Sequence, residues 1–270
     1  MRTDGEYLFA AYLRQGRLGF EYEREVNGRC PDFSIDHPTG AVVAEVFEPE
    51  LRLPHGGGQF DSYKPLWGAF KDRRAKQIKA VKEAGFPYVA VIAPTNADLP
   101  FQPQIMAGAM FGNLATEFAV SDEPIGTQPG RTVFAGGARL QVDQFRGVSA
   151  VAILERFNPT KWRLEAAIDE RLAVVPNGPL GMTASQIREA QAAIVRIAAD
   201  TEDQFLASGA FDPNARLARL TVLHNPYALH PLDVRAFDQP HDVQWGRIEV
   251  DGREGYGELS GGGSHASRGA

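Results

Sequence analysis

Two acidic residues, Asp32 and Glu45, stand in a pattern suited to metal chemistry. Asp32 follows Pro31, and Glu45 interrupts an otherwise apolar run over residues 41–47. Burying an unpaired carboxylate in such a run costs on the order of several kcal/mol. Clustered carboxylates suit Mg²⁺ or Mn²⁺, and neither residue has the thiolate and imidazole neighbours that zinc prefers. The pair therefore predicts a divalent-metal site, with an exposed acidic position on a one-sided hairpin as the alternative.

The segment between the two acidic residues predicts how they face each other. Residues 36–40 have the composition of a turn, and a strand-like run lies on each side. With Pro38 and Thr39 at the centre of a hairpin, residues whose numbers add up to 77 are opposed, and Asp32 lies across from Glu45. Opposed Cβ atoms on antiparallel strands are about 4.5 to 5.5 Å apart. Two like charges at that distance repel unless a cation neutralises them.

The elements before this hairpin follow from hydrophobic periodicity. Thr3 and Glu6 form a capping-box pattern that begins a short helix, which ends at Gly16. Apolar and acidic residues alternate over 20–25, and Asn27-Gly28 then favours a tight hairpin turn. With the two strands of the later hairpin, these residues predict a three-stranded meander.

A second helix and a buried strand follow the meander. Apolar residues recur at helical spacing over 63–85, Gly85 can end the helix in a left-handed conformation, and residues 87–93 form an apolar run. The opposite face of this helix is basic and contains Lys64, Lys71, Arg73, Arg74, Lys76, Lys79 and Lys82. The order of elements is therefore α-β-β-β-α-β, and the fold class is α/β.

The rest of the chain is predicted to extend this core. We expect a core over 1–94, an α/β extension over 95–258 packed on the same domain, and a flexible tail over 259–270. Within the extension we expect loops with one short helix at 105–117, strands at 148–154 and 217–223, and a helix from a capping box at Thr183 to Gly209.

Composition limits the classes of protein that this chain can be. Its 270 residues are 43% hydrophobic and 23% charged, as in folded globular chains, and its formal net charge of −6 argues against coating nucleic acid by bulk electrostatics. No apolar stretch is long enough for a signal peptide or a bilayer span, so we expect a cytoplasmic protein without a membrane partner. The single cysteine, Cys30, is expected to be buried.

The motif around the acidic pair resembles a known family. Cys30-Pro31-Asp32-Phe33, followed by Glu45 within the apolar strand VVAEV, is similar to the PD-(D/E)xK phosphodiesterase superfamily, which includes many restriction and repair nucleases. The resemblance covers roughly residues 3–94. It implies a restriction endonuclease-like core, with a mixed sheet flanked by helices, in which Glu6 on the first helix joins Asp32 and Glu45 as a metal ligand.

One position departs from the family pattern. The family places a lysine two residues after the glutamate, where this chain has Phe47. Some members carry that lysine on the following helix, and the resemblance then makes Lys76 or Lys79 the catalytic lysine, with Lys76 as the first choice. A solvated basic helix face is the alternative for both lysines.

The resemblance implies a nuclease that uses Mg²⁺ or Mn²⁺ and acts on DNA in preference to RNA. A catalytically inactive nuclease-like module that binds nucleic acid or a protein partner is the alternative, and a homodimer is compatible with either. A hydrolase of unrelated chemistry stays open because residues 95–270 carry no recognised motif. The sequence has neither a GxxxxGK[ST] phosphate loop nor a nucleophile elbow.

Overall fold

The computed structural model describes residues 1–49, 73–93, 113–117, 131–135, 145–173, 183–250 and 253–259. Its first element is α1 (Asp4–Gln15), which begins at Thr3 as predicted. The Thr3 hydroxyl accepts the N–H of Glu6 at 3.3 Å. The reciprocal half of the capping box is not formed, because the Glu6 carboxylate accepts the N–H of Arg2 instead.

The predicted meander follows α1. It consists of β1 (Phe20–Tyr22), β2 (Phe33–Ile35) and β3 (Val42–Phe47), each antiparallel to the next. Asn27 and Gly28 turn the chain between β1 and β2 with φ angles of 48° and 71°. Positive φ at two successive residues is the geometry that an Asn-Gly turn favours, and the predicted turn is confirmed.

The second helix and the fourth strand complete the predicted order. α2 (Arg73–Glu83) is followed by Gly85, whose φ of 81° gives the predicted left-handed helix end. β4 (Tyr88–Ile92) is buried along its whole length and runs parallel to β3. Residues 63–72 of the predicted helix lie outside the described part of the chain.

The sheet continues beyond this core. The added strands are β7 (Ala150–Phe157), β8 (Leu217–His224), β9 (Val243–Val250) and β10 (Arg253–Leu259). The eight strands of the sheet have the order β1-β2-β3-β4-β7-β8-β9-β10, with β7 parallel to β4 and β9 parallel to β8. The fold is therefore α/β, with a mixed sheet flanked by helices. The strands predicted at 148–154 and 217–223 are confirmed, whereas β9 and β10 are additional elements.

One predicted helix is wrong where the structure describes it. Residues 113–117, at the end of the helix expected at 105–117, form β5 (Asn113–Glu117) and pair antiparallel with β6 (Arg131–Ala135). Five residues are too few to show a helical period, and the pairing with β6 supplies the backbone hydrogen bonds of both segments.

The chain divides into two compact units. One contains Met1–Glu155 and Ala218–Ala270, and the other contains Arg156–Leu217. The core over 1–94 and the extension over 95–258 stay a prediction from the sequence. The second unit contains α3 (Pro159–Leu172) and α4 (Ala184–Ala207). The capping box at Thr183 and the helix end before Gly209 are confirmed for α4.

Apolar side chains pack on both faces of the central sheet. On one face, Phe9 of α1 packs in a cluster with Phe33 and Ala44. On the other face, Ile78 of α2 packs in a cluster with Val43. Side chains alternate between the two faces along a strand, so Asp32 and Glu45, neighbours of Phe33 and Ala44, belong to the α2 side.

Two further predictions concern membrane-spanning helices and the C-terminal tail. None of the described helices is long and apolar enough to cross a membrane. Of the tail predicted over 259–270, residues 260–270 lie outside the described residues, and residue 259 is the last residue of β10.

Candidate metal centre

A pocket of about 370 Å³ lies where α1 begins, β3 ends and α2 passes the sheet. Its described lining residues are Arg2, Thr3, Glu6, Asp32, Glu45, Val46, Phe47, Glu48 and Arg74. These residues come from the N-terminal end of α1, the residue before β2, the end of β3 and α2. The three acidic residues predicted as metal ligands, Glu6, Asp32 and Glu45, therefore line one pocket.

The register of β2 and β3 is the predicted one. Phe33 pairs with Ala44, and the same register extended by one residue sets Asp32 across from Glu45. The backbone N–H of Val46 donates a 2.8 Å hydrogen bond to Oδ2 of Asp32. The end of β3 thus fixes the Asp32 carboxylate beside Glu45.

Glu45 is buried, with 6% of its surface exposed. Two of the described side chains lie against its carboxylate. Nε of Arg74 lies 3.8 Å from Oε1, and the Tyr88 hydroxyl donates to Oε2 at 3.4 Å. These contacts explain how a carboxylate is tolerated in an apolar strand.

The Tyr88 phenol is held in its protonated, hydrogen-bond-donating form. Burial raises its pKa well above the ordinary value, and the negative charge of Glu45 raises that pKa further. The positive charge of Arg74 acts in the opposite direction, and Asp32 adds a smaller upward effect. Tyr88, Glu45, Asp32 and Arg74 thus form one electrostatically coupled group.

Glu6 and Glu48 bring two further carboxylates to the pocket. Oε2 of Glu6 accepts the hydroxyl of Tyr22 at 2.7 Å as well as the N–H of Arg2. Oε1 of Glu48 accepts the N–H of Gly5 in the first turn of α1. The N-terminus of a helix favours such anionic partners. One oxygen of each carboxylate is thus already engaged by the protein.

The described lining of the pocket carries more negative than positive charge. Four carboxylates face two guanidinium groups, those of Arg2 and Arg74. Arg2 also pairs with Glu23, at 2.6 Å. The arrangement favours binding of a cation rather than an anion.

Lys76 and Lys79, the predicted catalytic lysines, are not among the lining residues that the structure describes. Both side chains are exposed, and Nζ of Lys79 lies 3.8 Å from Glu83. Among the α2 side chains that the structure describes, Arg74 is the basic one that lines the pocket. Its position four residues before buried Ile78 and seven before buried Val81 places it on the inner face of the helix. That spacing is the sequence signal that could have identified Arg74.

Gln77 links α2 to the segment that carries Asp32. The residue is 1% exposed, and its Nε2 donates to the carbonyl of Cys30 at 3.1 Å. The Cys30 side chain is exposed, so the predicted burial of this residue is wrong. Cys30 follows the exposed turn at Asn27 and Gly28, and its backbone rather than its thiol contacts α2.

The donor set suits a hard divalent cation that keeps part of its water shell. The described residues contain no group of three or more His, Cys, Asp or Glu side chains arranged to hold a metal ion by themselves. Mg²⁺ is commonly held by only one or two carboxylates together with water and substrate oxygens. Asp32 and Glu45 meet that requirement. Comparison of the chain with models of known protein families, with curated proteins and with solved structures gave no match.

Proposed function

We propose that this chain is a metal-dependent phosphodiesterase that cleaves DNA or RNA, built on a restriction endonuclease-like core. The observation that carries the proposal is the position of Asp32 and Glu45. Asp32 immediately precedes β2, Glu45 lies in the neighbouring strand β3, and both line one pocket. Two carboxylates placed in this way are suited to Mg²⁺ or Mn²⁺.

Different contacts hold the two carboxylates in place. The N–H of Val46 orients Oδ2 of Asp32, and Tyr88 and Arg74 hold the two oxygens of buried Glu45. Glu6, the third ligand that the family resemblance implies, enters the pocket with Oε2 already bonded to Tyr22 and Arg2. A divalent ion bound here would activate water and stabilise the charge on the phosphate and the leaving oxygen.

The water-orienting role stays assigned to Lys76 or Lys79 in this proposal. Both lie on α2, the helix that also brings Arg74 to Glu45. Replacing each lysine separately by alanine tests the assignment. Loss of cleavage in one variant identifies the residue, and normal cleavage in both excludes the pair.

A second function is favoured by a specific contact. Phe47 stands where the family has its lysine, and the Arg74 guanidinium lies over the Phe47 ring, 4.7 Å from its centroid. A cation–π contact of this kind stabilises packing without supplying a proton-transfer group. The alternative is therefore an inactive nuclease-like module that binds nucleic acid or a protein partner, with exposed Lys76 and Lys79 on its surface.

A cleavage assay separates the two functions. Purified protein is incubated with supercoiled plasmid, single-stranded DNA or RNA, in the presence of Mg²⁺, Mn²⁺ or EDTA. The proposal predicts cleavage that requires metal and is lost in Asp32→Asn and Glu45→Gln. Glu25→Gln is the matched control, because it removes the same charge from an exposed site.

Each outcome assigns the function. Cleavage that persists in EDTA or in both pocket variants contradicts the metal mechanism. Nucleic-acid binding without cleavage, measured by gel retardation, supports the inactive module.

A further inference from the structure

Arg74 lies beside Glu45, one of the two carboxylates proposed to bind a divalent ion. Its Nε lies 3.8 Å from Oε1 of Glu45, and its guanidinium rests on the ring of Phe47. The Arg74 side chain is 31% exposed, whereas that of Glu45 is 7% exposed. The ion pair is therefore largely shielded from water, and its electrostatic attraction is stronger than that of a surface pair.

Two features of the pocket indicate that the charge of Arg74 acts directly on Glu45. Lys76 and Lys79, on the same helix, are exposed and are not among the described lining residues, whereas Arg74 lines the pocket. Arg74 and Glu45 also shift the pKa of Tyr88 in opposite directions, so both charges act at the same place. A change in the charge at position 74 must therefore change the potential at Glu45.

We infer that Arg74 is a built-in counter-ion that sets the affinity of Glu45 for a divalent cation. This inference rests on the proposed metal site. Without metal, the guanidinium neutralises the buried carboxylate. A divalent ion that binds Glu45 must compete with the guanidinium, which is held on the Phe47 ring. Arg74 thus lowers metal affinity, and the charge at position 74 determines by how much.

Calorimetric titration of the full chain with Mn²⁺ tests this inference without measuring activity. Arg74→Gln removes the competing charge, so we expect Mn²⁺ to bind about three- to tenfold more tightly than to the wild type. Lys82→Gln is the matched control. It makes the same charge change on the same helix at an exposed site, where salt screens the effect, and its affinity should stay within about twofold of the wild type. Arg74→Lys keeps the charge and should bind much as the wild type does.

A second variant covers the case in which Arg74→Gln fails to fold. Phe47→Leu keeps an apolar side chain but removes the ring beneath the guanidinium. It should tighten Mn²⁺ binding by a smaller factor, about twofold, because the guanidinium is held less firmly. Circular dichroism establishes which variants are folded.

Several results would overturn the inference. Equal affinity in Arg74→Gln and the wild type, or equal tightening in Lys82→Gln, contradicts a local counter-ion. If Glu45→Gln abolishes binding while Arg74→Gln changes nothing, the metal site stands and only the inference fails. If Mn²⁺ binds to none of the folded proteins, both the inference and the proposed metal site fail.

Discussion

The Asp32 carboxylate accepts the backbone N–H of Val46, the residue that follows Glu45 in β3. One acidic residue of the pocket is therefore anchored to the strand that supplies the other. A short hairpin joins β2 and β3. A substitution at Asp32 or Glu45 therefore affects the positions of both carboxylates through the few backbone bonds between them. The contact also determines which substitutions are suitable probes.

Replacement of Asp32 should depend on whether the new side chain can accept this hydrogen bond. Asp32→Asn keeps an oxygen for the N–H of Val46, whereas Asp32→Ala leaves a buried donor unsatisfied. We expect Asp32→Ala to lower the free energy of unfolding by about 1 to 2 kcal/mol more than Asp32→Asn does. Urea denaturation of both variants measures the difference, and equal stabilities would show that the contact is not energetically important.

Glu6 should influence a bound cation mainly through its charge. Tyr22 and the N–H of Arg2 already bond to Oε2 of Glu6, and glutamine at this position keeps an acceptor oxygen for one of them. We expect Glu6→Gln to weaken Mn²⁺ binding about two- to threefold, and Glu45→Gln about tenfold or more. Calorimetry compares the two variants. A loss as large for Glu6→Gln as for Glu45→Gln would instead identify Glu6 as a direct ligand.

Gly5 provides the close approach between α1 and the edge of the pocket. A Cβ atom at this position would lie 2.7 Å from Oε1 of Glu48 and 2.7 Å from Cβ of Ala93. Gly5→Ala should therefore destabilise the fold by about 1 to 3 kcal/mol and displace Glu48. Thermal unfolding and Mn²⁺ titration measure the two effects.

Gly85→Ala is the control for Gly5→Ala. Gly85 has a φ of 81° and no atom within 4 Å of an added Cβ, so its substitution costs about 1 kcal/mol through backbone strain alone. It should leave Mn²⁺ binding unchanged. Identical Mn²⁺ affinities for Gly5→Ala, Gly85→Ala and the wild type would show that Gly5 does not position the pocket.

His224 should make the fold sensitive to acid. Burial lowers the pKa of His224 below its ordinary value of 6.5, although a hydrogen bond with Gln244 partly opposes the shift. The unfolded chain therefore takes up this proton at a higher pH than the folded chain, and stability falls as pH decreases below about 6.5.

The variant His224→Gln tests this contribution. It lacks the titrating group and should lose less stability between pH 7.5 and pH 5.5 than the wild type does. Urea denaturation at the two pH values gives the comparison. An equal loss in both proteins would mean that His224 does not titrate differently on folding.

The parts of the fold that depend on local pattern could be predicted from the sequence. The apolar run of β3, the helical spacing in α1 and the Asn27-Gly28 turn each involve residues close together in the chain. The hairpin register is local as well, because a short turn leaves few alternatives for pairing Phe33 with Ala44. These elements are sufficient to bring Asp32 and Glu45 to one pocket.

The remaining features depend on contacts that a linear pattern does not specify. The pairing of β5 with β6 joins segments that are distant in sequence, and no short window indicates it. Arg74 was one of several basic residues on α2, and charge alone did not distinguish it from Lys76. Position on the helix does distinguish Arg74 from Lys76, because Arg74 lies on the same face as buried Ile78 and Val81.

The central claim is that Asp32 and Glu45 together hold a divalent cation, and calorimetric titration with Mn²⁺ tests it most directly. The account predicts saturable binding to the wild type, weakened about tenfold or more in both Asp32→Asn and Glu45→Gln, with Glu25→Gln unchanged. Absence of binding to the folded wild type, or equal affinity in the wild type and both pocket variants, would contradict the account.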